Sequence, residues 1–219
     1  SWDDAVADLD AAIAAAPTHI SIYDLTYAPD FAARVEGTLG AGARRAAGAF
    51  AEQHYARAVS RLESAGYRRY EVSNFALPGH ECRHNLVYWR NQEYLGLGAG
   101  AHGSANGCRY QIVKQPRVYI RRLENAAAGP FPLSAAVAAH HAVDQAEAMS
   151  DTIITQLRLL QEGLDLAAFQ ARFGQNLDEA FKGTMSRLVD WGLLAVGNGR
   201  LRLTQKGRFL SNQVFYRFM

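Results

Sequence analysis

The chain has 219 residues, a formal net charge of +2 and an apolar fraction of 49%. That length supports one large domain, or a medium one beside a small one, with ample material for a core. The near-neutral charge demands neither nucleic acid nor an anionic membrane. The only cysteines, Cys82 and Cys108, exclude a disulfide scaffold, and a four-thiolate iron–sulfur centre cannot be assembled within the chain. No apolar run approaches the roughly 20 residues of a membrane-spanning helix. Ser1-Trp-Asp-Asp4 has neither the basic nor the apolar region of a secretory leader. The expectation is a reduced, cytoplasmic protein, and a start inside an Ala-rich helix predicts that the chain begins within a longer one.

Taken in order, Trp2–Ala16 places Ala5, Leu9, Ala12, Ile13 and Ala16 on one helical face, and Pro17 ends the pattern. His19–Thr26 is β-branched and alternating, so it reads as a strand. Tyr27–Gly42 is loop-like, broken by Pro29, Gly37 and Gly40. Arg44–Gly66 is a helix with Gly66 as its cap, and Arg69–Phe75 the next strand. Two helix-then-strand units predict a parallel sheet. Asn106–Cys108 reads as a turn, Arg109–Val113 as a strand, Pro116–Ala128 as a helix and Gly129–Pro132 as a break. Ser134–Leu160 reads as helical, in two pieces near His140–Gln145. From Asp151 the character changes to helices at Asp151–Gln161, Leu166–Phe173 and Leu177–Trp191. Two strands then flank Asn198-Gly199, a type I′ hairpin signal. Helices followed by a hairpin predict a winged-helix-like module.

The densest chemistry lies in Tyr70–Gly103. Pro78-Gly79 is a turn signal, followed by His80, Glu81, Cys82, Arg83, His84, Asn85, Tyr88 and Trp89. An imidazole beside Tyr88 and Trp89 is equipped to ligate haem iron with aromatics against the macrocycle. The competing reading is a loop histidine with core aromatics. His80, Cys82 and His84 alternate, so an extended segment puts them on one side, but without further ligands no metal site is assigned. Leu95–His102 is an apolar run thinned by glycines, as where a buried strand lets a flat ligand approach its backbone. It is a poor dinucleotide fingerprint, lacking a following helix and a suitably spaced acid. Asp24 and Glu71 stand at strand ends, where barrel enzymes place catalytic groups. Surface or capping roles are preferred for both, and no catalytic residue is assigned. Arg200, Arg202, Lys206 and Arg208 make a basic hairpin. The candidate recognition helix, however, mixes Lys182 and Arg187 with Asp178, Glu179 and Asp190, a poor face for phosphates.

One family carries several of these stretches together. Residues 81–102, ECRHNLVYWRNQEYLGLGAGAH, resemble the radical S-adenosylmethionine coproporphyrinogen III oxidase-like family (HemN/HemW), above all its haem-chaperone branch. The branch signature HNxxYW is met by His84, Asn85, Tyr88 and Trp89. HISIYDLTYAP (19–29) and LTQKGRFLSNQVFYRFM (203–219) are also similar to the family. The resemblance implies a haem site at His84, Asn85, Tyr88 and Trp89. It further implies S-adenosylmethionine contacts at Thr26, Ala101 and His102. The family's CxxxCxxC cluster motif is absent from this sequence, so the 4Fe-4S cluster is expected of a full-length parent and the chain alone is expected to be inactive as an oxidoreductase.

The resulting expectation is an α/β chain. Residues 1–113 form the late βα units of a partial TIM-type barrel with parallel strands, 114–150 a helical linker, and 151–219 a small winged-helix-like domain covering the substrate side. The expected function is that of a haem chaperone passing haem to acceptor proteins. The alternatives are an oxygen-independent coproporphyrinogen III oxidase acting on a porphyrinogen, and a non-enzymatic winged-helix nucleic-acid-binding module. Nucleic acid is not an expected partner, nor is a transmembrane segment expected. An exposed sheet edge on a partial barrel predicts a homodimer or self-association.

Overall fold

The computed structural model describes residues 2–23, 41–124 and 129–219. It is a mixed α/β chain in two compact units, residues 1–82 and 83–219.

In the first unit, α1 (Trp2–Ala14) leads to β1 (His19–Ser21), α2 (Ala41–Ser64), β2 (Arg68–Arg69) and β3 (Asn74–Ala76). Both helices were legible from their apolar spacing. α2 ends in a Schellman motif: Gly66 takes φ +91°, Gly66 N–H bonds Glu63 O, and Tyr67 N–H bonds Leu62 O. Leu62, Tyr67 and Phe75 make the core, with Leu9, Ile13, Ile20, Ile22, Val59 and Leu77 packed around it. The sheet order is β1-β3-β2, and β3 is antiparallel to both neighbours. The expected parallel pairing is therefore corrected. β1 and β2 do run in the same direction, as a helical crossover requires, but β3 lies between them. The expected single strand over Arg69–Phe75 is likewise two short strands, because the chain reverses through Tyr70–Ser73.

In the second unit, α3 (Arg83–Trp89) precedes β4 (His102–Ala105), β5 (Cys108–Ile112), α4 (Pro116–Glu124), β6 (Val137–Ala142) and α5 (Gln145–Gln156). β4, β5 and β6 form an antiparallel sheet in that order. Asn106 (φ +51°) and Gly107 (φ +67°) make the tight turn that the sequence announces. Helix was expected across Ser134–Leu160, yet Val137–Ala142 is a strand. Ala-rich sequence favours helix locally, but here backbone pairing with β5 overrides that weak preference. Tyr110, Ile112, Val113 and Ala136 form the core beneath the sheet, with Val118, Tyr119 and Leu133 against it.

The chain continues through β7 (Leu164–Asp165), α6 (Leu166–Phe173), α7 (Leu177–Ala180), α8 (Thr184–Asp190), β8 (Leu194–Gly197) and β9 (Arg200–Leu203). α9 (Gln205–Phe209) and α10 (Ser211–Phe215) follow, then a 3-10 turn. β7, β9 and β8 form the third antiparallel sheet. The expected helix Leu177–Trp191 is broken in two, because Lys182 and Gly183 both take positive φ. Leu157, Leu164, Phe169, Leu188, Leu201 and Phe218 are all buried here.

Candidate functional site

The HNxxYW segment is helical rather than extended. Arg83–Trp89 are α3, so the expected alternation of His80, Cys82 and His84 on one side of a strand does not occur. Asn91 closes the helix at φ +52°, with Asn91 N–H on Tyr88 O and Gln92 N–H on Val87 O. The same Asn91 donates its side-chain amide to Thr152 Oγ1 on α5 at 3.0 Å. Arg90 makes a two-pronged ion pair with Glu162 at 2.7 and 3.1 Å. The Arg158 guanidinium lies 4.4 Å from the Trp89 ring centroid, and the buried indole N–H has no hydrogen-bond partner among the described residues. Trp89 thus anchors α3, and half-buried Asn85 stands one turn before it on the same side.

The adjoining face of α3 is the open one. His84 is exposed, and its Nε2 lies 3.1 Å from the Tyr88 hydroxyl one helical turn on. The Tyr88 ring meets the Tyr94 ring edge-on, with centroids 4.5 Å apart. Tyr94 is held by two backbone bonds to Ser104 on β4, at 2.8 and 3.0 Å. Burial raises the Tyr94 hydroxyl above the usual tyrosine range, and the nearby Arg109 charge opposes this. Arg109 on β5 pairs with Asp151 at 2.5 Å and Glu147 at 3.5 Å, and Glu147 also meets His141 Nε2 at 3.0 Å. Burial pushes the Asp151 carboxyl up, with Arg109 opposing. An aromatic ladder therefore runs from an exposed imidazole to the cluster of Arg109, Asp151, Glu147 and His141. Chemically it offers one imidazole nitrogen pair and ring faces. Sequence reasoning missed Tyr94 and Arg109, because only pairing across the chain brings Tyr94 against Tyr88 and Arg109 near Tyr94.

The glycine segment 95–101 is a loop rather than the expected strand. Two of its neighbouring glycines serve the protein's own packing. Gly96 N–H donates to the Tyr110 hydroxyl at 3.0 Å, and a Cβ on Gly96 would sit 2.4 Å from His102 O. A Cβ on Gly103 would fall 2.1 Å from the Tyr110 ring. Close approach is what the glycines allow, but here the approaching group is Tyr110. Ala101 accepts from Ile112 N–H at 2.8 Å and packs against the core, while His102 opens β4 with an exposed side chain. Leu95 and Leu97 project into solvent. Thr26 and Asp24 lie outside the described residues.

In the first unit Glu71 is fully buried. Its Oε1 accepts from Ser73 N–H at 2.7 Å and from the Asn74 amide at 2.5 Å, and Ser21 donates its hydroxyl to Asn74 Oδ1. His19 Nε2 lies 3.0 Å from the Tyr70 hydroxyl. Burial holds the His19 imidazole below its ordinary pKa, with the Glu71 charge opposing. Of the surface or capping roles preferred for Glu71, the surface one is corrected by its full burial, and the side chain caps the turn from the interior. The readable signal is an acid two residues before Ser73 and three before Asn74 between strand-like runs.

The basic hairpin spends its cations inward. Arg200 bonds Glu162 O and pairs with Asp165, Arg202 bonds Gln161 O and Gly197 O, and Lys206 bonds Trp191 O at 3.0 Å. These groups satisfy backbone carbonyls that local structure leaves open.

Comparison with known proteins supplies the rest. Residues 143–210 match the HemN C-terminal domain family. The haem chaperone HemW of Mycobacterium tuberculosis is 35% identical over 219 residues, covering 98% of this chain and 50% of that protein. HemW of Bacillus subtilis is 34% identical over 161 residues, covering 74% of this chain and 40% of that protein. Among solved structures, the radical SAM enzyme coproporphyrinogen III oxidase (HemN) from Escherichia coli matches all of this chain and 51% of its own, with a TM-score of 0.72. At 18% identity that likeness shows a shared fold. The chain spans about half the length of these relatives, and it belongs to the HemN/HemW family.

Proposed function

We propose that the chain is the haem-binding part of a haem chaperone, taking up haem through the open face of α3 and passing it to acceptor proteins. The observation that carries this reading is the exposed His84 imidazole on the same helical face as Tyr88, within HNxxYW. Identities of 34% and 35% to proteins named as haem chaperones support it. Asn85 and Trp89 act behind that face by seating the helix. An exposed imidazole suits a cargo site, because a ligand that must be handed on needs an accessible iron.

In this reading residues 1–113 are the end of a partial barrel, 114–150 the linker, and 151–219 a winged-helix-like domain. Ala101, His102 and, separately, Thr26 are the S-adenosylmethionine contacts proposed for the full-length parent. There S-adenosylmethionine and a 4Fe-4S cluster supply one-electron chemistry. Two thiols, Cys82 and Cys108, do not make a cluster ligand set, so no step of radical chemistry is assigned to these residues. Among the described residues no helix is long and apolar enough to cross a membrane. The reading places the parent in the cytoplasm, with self-association through exposed sheet edges.

The test is an absorbance titration of haem against the chain and its His84→Ala variant. A Soret shift that weakens in the variant is expected. Equal binding by both places the ligand elsewhere, and no binding by either returns the oxidase reading.

A further inference from the structure

We infer that Tyr88 is a latch on the ligating nitrogen of His84: its hydroxyl occupies Nε2 in the free protein and must release it before that nitrogen meets a metal. This rests on the haem-binding reading above and assigns the residue that regulates its entry.

The geometry is specific. His84 Nε2 and the Tyr88 hydroxyl are 3.1 Å apart, with ring centroids at 4.9 Å and planes near perpendicular (89°). When Nδ1 carries the imidazole proton, the phenol O–H points at the Nε2 lone pair. That is the electron pair a metal ion requires. When Nε2 carries the proton, it donates to the phenol oxygen, and the nitrogen is again unavailable. Ligation through Nε2 therefore breaks this hydrogen bond in either tautomer. No proton leaves the pair in the first case, and in the second the proton moves to Nδ1.

The two partners differ in freedom. Tyr88 is half-buried and braced edge-on against Tyr94, which two backbone bonds tie to Ser104. His84 is exposed and has only rotamer barriers to cross. Release is thus a swing of the imidazole away from a fixed phenol. Such an arrangement lowers the resting affinity of the site, which suits a protein that must give up its cargo.

The test is a double-mutant cycle on the full 219-residue chain, with haem as probe: wild type, Tyr88→Phe, His84→Ala and the double variant. Phenylalanine keeps the ring packed on Tyr94 and removes only the hydroxyl. Tyr88→Phe is expected to bind haem roughly two- to tenfold more tightly, the worth of one ordinary hydrogen bond. In the His84→Ala background the same substitution is expected to change nothing, whereas a purely structural role of the hydroxyl would be felt in both backgrounds. If His84→Ala loses binding while Tyr88→Phe is unchanged or weaker, the latch is wrong and the ligand assignment stands. If His84→Ala binds as the wild type does, or none of the four binds, the ligand assignment fails and the latch with it.

Discussion

Replacing Glu71 is the most decisive perturbation of the first unit. Its carboxylate is fully buried and accepts from Ser73 N–H and the Asn74 amide, and Asn74 in turn accepts from Ser21 on β1. This oxygen braces the reversal between β2 and β3, alongside the bonds that Tyr55 and Arg69 make to Val72 O. Glu71→Ala leaves two donors without their charged acceptor, each bond being worth about 1.5–3 kcal/mol. Partial relaxation around half-buried Ser73 brings the expected cost to about 3–5 kcal/mol, in line with unpairing other buried polar groups. Glu71→Gln keeps an acceptor oxygen and loses only the charge assistance, so about 1–2 kcal/mol is expected. Whole domains are stable by only about 5–15 kcal/mol. Glu71→Ala should therefore bring the first unit close to unfolding while the second persists. Urea denaturation followed by far-ultraviolet circular dichroism gives the total, and hydrogen exchange at amides 68–76 localises the loss. A Glu71→Ala cost below about 1 kcal/mol, or a Glu71→Gln cost equal to it, refutes the assignment of Glu71 as the acceptor at this turn.

Other expectations follow from the same geometry. His19 has a folded pKa below its unfolded value, so its contribution is present above about pH 6.5 and is lost as pH falls through the folded pKa. Unfolding by urea across pH 7 to 5 should show stability falling by at most about 1.4 kcal/mol per pH unit from this group, a slope that His19→Gln removes. Gly103→Ala drives a methyl into the Tyr110 ring, which is buried, and should cost about 1–3 kcal/mol, with the Gly96 amide losing its hydrogen-exchange protection. An undiminished melting temperature in that variant would mean that the ring moves aside freely. Because Arg200, Arg202 and Lys206 are committed to carbonyls, a DNA shift assay at low salt should show no salt-dependent complex.

Much of this protein is written in periodicity and punctuation. The helices Trp2–Ala14, Ala41–Ser64 and Leu166–Phe173 follow from apolar spacing. The turns at Asn106-Gly107 and Asn198-Gly199 follow from residues that tolerate positive φ. The HNxxYW residues were also visible as a group, because they are neighbours in sequence. What they do to one another was not. Extended geometry seemed natural for His80-Glu-Cys-Arg-His84, yet helical winding from Arg83 sets His84 beside Tyr88 and turns Trp89 toward Arg158.

Tertiary structure alone decided three things, and the reason is common to them. The Ala-rich segment Val137–Ala142 is a strand because β5 offers it a ladder of partners, which outweighs a helix preference of tenths of a kcal/mol per residue. The order β1-β3-β2 arises because a four-residue reversal, capped by Glu71, inserts β3 between two co-directional strands. The glycines at 96 and 103 admit Tyr110, from a strand that sequence alone cannot place against them. In each case the deciding partner is distant in the chain. Local sequence determines which conformations are cheap, and pairing across the fold determines which of them is used.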